Sequence, residues 1–182
     1  MSSNYKVGEN STPHFVTFTV VAWIDVFSRE LYKEMFIKSL QYCCEKKGLI
    51  LHAWVIMTNH VHLIISSTDN KIEYLVRDIK KYTSKQIIKA IQDNPVESRK
   101  EWMVNIFRFT GRNNNNNKEF QFWKQDYHPI ELHNDQKLQQ RLSYLHENPV
   151  TSGLVWEPQH YKYSSAIDYY TNGRGLLKIQ HL

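Results

Sequence analysis

Apolar and polar residues alternate from His14 to Val21 (HFVTFTVV), and the run is rich in Val, Thr and Phe, which predicts a half-buried first strand. The period then changes. Between Arg29 and Lys47, Leu31, Met35, Phe36, Leu40 and Cys43 recur near helical spacing and Gly48 supplies a stop, so a first helix is expected there. Leu51 to Met57 and His60 to Ser66 are two strand-like runs parted by Thr58 and Asn59, turn residues that can join them as a hairpin. A second helix is expected from Lys71 to Ile91, with Leu75, Ile79, Ile87, Ile88 and Ile91 as its apolar positions and Asp93, Asn94 and Pro95 as its breaker. Farther on, the pattern gives a strand around Phe120 to Leu132 and a helix from Asp135 to Asn148. That helix carries Leu138, Leu142 and Leu145 on one face and has Pro149 beyond its end. Strands interleaved with helices, joined at least once by a tight hairpin, predict an α+β domain with an antiparallel sheet rather than a parallel doubly wound one.

The length of 182 residues fits a single domain over 1–182, with a polar N-terminal tail over about 1–12 and an Asn-rich loop at 113–117. A hydrophobic fraction of 41% with 13% aromatics argues against a disordered chain. The longest apolar runs are strand-sized, well short of the ~20 residues a bilayer span needs, so no membrane partner is expected. The polar start MSSNYKVGENST lacks the charged and apolar regions of a signal peptide, and the two cysteines, Cys43 and Cys44, are sequence neighbours poorly placed to bond each other. A cytoplasmic protein is expected. The net charge of +5 and pI near 9.1 are compatible with a polyanionic partner.

Two residue pairs could carry chemistry. His60 and His62 flank Val61 inside the second hairpin strand, and side chains alternate across a strand, so both imidazoles leave one face while Val61, Leu63 and Ile65 point toward a core. The histidine face is expected to be the solvent or cleft side, where a metal or phosphate could reach it; two ordinary polar-face histidines would show the same spacing. Tyr144 and Asn148 lie four residues apart on the last predicted helix and are therefore neighbours on its surface. A phenolate stabilised by a cation is a nucleophile and an amide oxygen is a ligand for a hard divalent ion, although a packed tyrosine and a helix ending at Asn-Pro would look the same.

The strings VIMTNHVHLII and YLHENPVTSGLV, with the basic IKKYTSKQI and the aromatic FWKQDYH between them, resemble the HUH single-tyrosine transposases, closest to the REP-associated tyrosine transposases. The likeness spans roughly Phe15 to Ser165. One departure lies in the hairpin turn, where Thr58 stands at a position often occupied by Pro in the family. The resemblance implies a ferredoxin-like two-layer α+β sandwich, with helices on one face of the antiparallel sheet and the histidine pair on the other. It implies that His60, His62 and Asn148 hold a divalent ion and that Tyr144 is the nucleophile. Tyr144 would attack a backbone phosphate of single-stranded DNA near a hairpin, become linked to the 5′ phosphate and leave a free 3′ hydroxyl; rejoining reverses the step. A free phenol has a pKa of about 10, so a nearby cation would assist its ionisation. Two imidazoles and an amide suit manganese or magnesium, with zinc also admitted by ligand type.

Between Arg77 and Lys89 on the second helix, five basic residues, Arg77, Lys80, Lys81, Lys85 and Lys89, stand against one acid, Asp78, and Arg112 and Lys124 belong to a looser basic group around the Asn loop. On charge alone these read first as a solvated helix face. With the resemblance they read as DNA-binding positions. Tyr127 competes with Tyr144 but has no candidate ligand four residues onward, and Asp126 and His128 lack anything local to orient them. The alternative function is a domesticated DNA-binding protein that recognises hairpin repeats without moving them. A third reading is a metallophosphoesterase that uses water and dispenses with Tyr144. Both a monomer and a homodimer are left open.

Overall fold

The computed structural model describes residues 12–69, 71–113, 119–125 and 129–182. The order is β1 (His14–Thr19), α1 (Glu30–Lys46), β2 (Leu49–Ile56), β3 (His60–Ser67), α2 (Ile72–Asp93), α3 (Lys100–Arg112), β4 (Ile130–Glu131), α4 (Asp135–Thr151) and α5 (Ala166–Tyr170), with short 3-10 turns between. The strands form one antiparallel sheet in the order β2-β3-β1-β4, which places the histidine-bearing strand in its interior. Gly48, at φ +69, lets the chain leave α1 and enter β2, a left-handed backbone that glycine adopts without a Cβ penalty.

Facing residues of β1 and β3 fix which side chains share a face. Thr17 pairs with His62 and Thr19 with His60, while Phe18 pairs with Val61 and Val16 with Leu63. The second set points toward α1, where the Phe18 ring meets Phe36 with centroids 6.0 Å apart. Val16, Phe18, Phe36, Leu40, Val61, Leu63, Ile79 and Ile87 are all completely buried, so α1 and α2 form the helical layer and this interface is the bulk of the core.

The opposite face is not open to solvent, so of the two settings expected for the histidine side, solvent or cleft, the solvent one is corrected. His62 is 4% exposed, and Ile64 and Ser66 on the same face are also buried. The cover is α4, which lays Tyr144 across the rings of His62 and Phe15, together with the C-terminal segment. That segment runs beside β2: Tyr163 O accepts from Ile56 N, Ser165 N donates to Trp54 O, and Gln180 N donates to Leu51 O.

Three further elements differ from the sequence reading. α3 is absent from it, because Trp102, Ile106 and Phe109 stand among the buried Met103, Val104 and Phe107 and blur the single apolar stripe that marks a helix. The strand read around Phe120 to Leu132 is reduced to a bridge between Val20 and Trp123 and the two residues of β4. Phe122 and Trp123 are instead core anchors, tied by Val21 N to Phe122 O and Lys124 N to Thr19 O. Finally, α4 runs through Pro149 to Thr151, since proline near a helix end forfeits one backbone bond, and Gly153 at φ +71 terminates it. The N-terminal tail before residue 12, Asn114 to Asn117, and Asp126, Tyr127 and His128 lie outside the described residues.

Candidate active site

The period of two along β3 does bring the imidazoles together. The rings of His60 and His62 are 4.7 Å apart between centroids. From the other side, the helical period of α4 puts Arg141, Tyr144 and Asn148 on one surface while Leu142, Leu145, His146 and Pro149 are buried. The helix starts at a local signal, the Asn134 side chain accepting from Lys137 N at 2.8 Å. The Tyr144 ring meets His62 at 5.3 Å and Phe15 at 6.1 Å between centroids, and the Asn148 side chain hydrogen-bonds with His60. Four residues from two distant parts of the chain thus share one place.

Both histidines have a partner at Nδ1: the Asn59 amide oxygen can only accept and so selects the Nδ1–H tautomer of His60, whereas the Thr17 hydroxyl can bond either tautomer of His62. Thr17 Oγ1 lies 2.9 Å from His62 Nδ1, and Asn59 Oδ1 lies 2.6 Å from His60 Nδ1. With His62 Nδ1–H donating to Thr17 Oγ1, its Nε2 keeps a lone pair for the site, while His60 faces the Asn148 amide. His62 Nε2 is buried and has no hydrogen-bond partner. Burial, then the neighbouring His60 and Arg141, holds the His62 imidazole down at about 3, so it is neutral at pH 7. Burial also lowers His60, with the Asn148 hydrogen bond acting the other way.

Two neutral imidazoles, one with an orphaned nitrogen, and an adjacent amide are a chemically sound partial ligand set for a divalent ion that keeps water or substrate oxygen in its other positions. Among the described residues no three His, Cys, Asp or Glu side chains converge, so no carboxylate would neutralise such an ion. The Arg141 guanidinium, 5.2 Å from the Phe15 ring centroid, adds a further positive charge. The site as a whole suits an anion.

The basic positions divide. Arg77, Lys80, Lys81 and Lys124 line one groove of about 690 Å³ between α2 and the segment carrying Phe120 to Gln125. Lys80 Nζ donates to Lys124 O at 2.9 Å, which ties its two walls. Lys85, Lys89 and Arg112 do not line the groove, and Lys89 lies 3.6 Å from Asp93. The groove leads toward the histidines through Trp23: Lys124 Nζ sits 4.3 Å from its ring centroid, and its ring meets His60 at 6.3 Å. Thr17, Asn59, Arg141 and Trp23 were not singled out from sequence. Arg141 carries the plainest signal, one helical turn before Tyr144; Thr17 depends on strand register, which no local pattern gives.

The profile of IS200-like transposases matches residues 9–148, and the chain belongs to that family. The fold is similar to that of a REP-associated tyrosine transposase solved with a REP hairpin bound. That match has a TM-score of 0.62 and 16% identity, covering 92% of this chain and 84% of the other. A putative transposase from Deinococcus radiodurans R1 is also similar, with a TM-score of 0.47 and 16% identity over 81% of this chain and 95% of that one. No curated protein sequence matches the chain. Among the described residues no helix is long and apolar enough to cross a membrane.

Proposed function

We propose that this transposase-family chain, acting as one domain, is a divalent-metal-dependent strand transferase that cuts and rejoins single-stranded DNA beside a hairpin. The observation that carries the reading is the Tyr144 ring 5.3 Å from that of His62, whose buried Nε2 has no partner. His60, His62 and Asn148 would hold the ion, which when bound supplies positive charge against the scissile phosphate and the departing oxygen. Tyr144 loses its phenolic proton and its Oη bonds to phosphorus; the P–O3′ bond breaks, and the 3′ oxygen leaves as a hydroxyl after taking up a proton. The 5′ phosphate stays on the tyrosine until a 3′ hydroxyl attacks it and restores the phenol. Arg141, one turn from Tyr144, offers a fixed cation to the same phosphate. Arg77, Lys80, Lys81 and Lys124 would track the backbone of the incoming strand. The hairpin held by the similar REP-associated enzyme supports a folded DNA end as the substrate.

Denaturing gels of end-labelled hairpin DNA from repeats near the gene, incubated with manganese or magnesium, test this. Wild-type protein should form a covalent adduct on the 5′ phosphate, and Tyr144→Phe should form none while still binding DNA. Cleavage surviving in Tyr144→Phe would mean that water is the nucleophile, and tight binding with no adduct in either metal would mean a domesticated binder.

A further inference from the structure

Between β1 and α1 the chain makes a turn in which Ala22 and Trp23 both take left-handed backbone, at φ 52 and 55. Neither is glycine, and a bulky side chain there costs free energy that the surroundings must offset. They do so with Val20 N donating to Asn59 O, Val21 N to Phe122 O, and Asn59 Nδ2 to Trp23 O. A tryptophan so held is not buried by the turn; it is displayed, with 58% of its surface exposed. The His60 ring stands 6.3 Å away at 80° to it and the Lys124 ammonium stands over the indole at 4.3 Å from its centroid. With 58% of its surface exposed, the indole keeps area for a planar partner. The position joins the basic groove to the histidine pair.

From this geometry we infer that Trp23, backed by Lys124, is a stacking subsite for an unpaired nucleobase next to the candidate active site. The chemistry is that of single-strand binding: the indole takes the face of any base, and the ammonium takes the adjoining phosphate. Stacking fixes the strand on the histidine side of the groove, so that a neighbouring phosphate is presented to the exposed side of Tyr144. The folded stem needs no such platform, because its bases are already stacked. The inference rests on the strand-transfer reading above and names where the single-stranded part of that substrate is gripped.

Binding of two fluorescein-labelled oligonucleotides tests it: a stem–loop with unpaired extensions on both sides, and the same stem–loop trimmed flush. Trp23→Gly and Trp23→Ala should bind the extended oligonucleotide about 5- to 150-fold more weakly than wild type, the equivalent of one lost base stack, and the trimmed one equally well. Trp23→Phe should recover most of the loss, and replacing the extensions with abasic nucleotides should bring wild type down to the variants. Because glycine adopts this backbone freely, Trp23→Gly should melt at or above the wild-type temperature, which separates lost contact from lost fold. Unchanged binding of the extended oligonucleotide by Trp23→Gly, or an equal loss for both oligonucleotides, overturns the inference alone if the Tyr144 adduct still forms. Failure of wild type to bind either oligonucleotide overturns it together with the strand-transfer reading.

Discussion

His60 and His62 reach the candidate site from β3, a strand bonded on both edges, whereas Arg141, Tyr144 and Asn148 reach it from α4, a helix packed onto the sheet from outside. The spacing of the histidines is set by the pleat itself and cannot drift without breaking two ladders. The distance from histidine to tyrosine has no such guarantee. It depends on how Leu142, Leu145, His146 and Pro149 seat the helix, and on the bond of 2.9 Å between His146 and Ser165 on the C-terminal segment. The geometry of the histidine pair is thus a property of one element, and the placement of Tyr144 and Asn148 against it a property of packing between layers.

Truncating one buried leucine on each side is the strongest way to break this contrast. Leu63→Ala and Leu145→Ala, both at fully buried positions, should each cost about 2–5 kcal/mol in chemical denaturation. In the fraction that remains folded, Leu145→Ala should slow Tyr144 adduct formation more than it weakens manganese binding, and Leu63→Ala should impair the two together. A smaller effect is expected from Thr17→Val, which removes the hydroxyl that orients His62. Manganese affinity by titration calorimetry should fall by about 10- to 100-fold with little change in the denaturation midpoint.

The smallest effect concerns His52, at the irregular register of β2, where its Nδ1 meets Gln180 O at 2.8 Å and its Nε2 meets Ser66 Oγ at 2.8 Å. Burial lowers its imidazole below the ordinary range, with the Gln180 hydrogen bond opposing. The unfolded chain therefore binds the proton more readily, at about pH 6.5 and below. The stability from this group is full above that pH and is lost as pH falls through it toward the folded value. Thermal melts should show a decline below about pH 6.5 that is shallower in His52→Gln.

The strand pair around Thr58 and Asn59 and the helix bearing Tyr144 were legible because each is written in a local period: alternation in VHLII, and leucines at helical spacing before Asn148. The resemblance then joined two motifs that no local rule connects. What escaped was decided at long range. The covering of the His62 face follows from where α4 lands, which β3 does not encode. The same holds for Phe122 and Trp123, whose aromatic run suggested a strand although their rings serve as plugs packed against Phe27. Trp23 was invisible for another reason: no propensity rule assigns tryptophan a left-handed turn, and only the hydrogen bonds around it explain why it sits there.

β2 ends the four-stranded order, and a terminal strand ordinarily offers a row of unpaired amides and carbonyls to any passing strand. Here Tyr163, Ser165 and Gln180 have already taken the partners at Leu51, Trp54 and Ile56, and the Tyr161 hydroxyl donates to the Ile56 carbonyl at 2.8 Å. The C-terminal residues thereby act as a built-in guard against aggregation: the border of the sheet most adhesive to another polypeptide is already closed from within the chain.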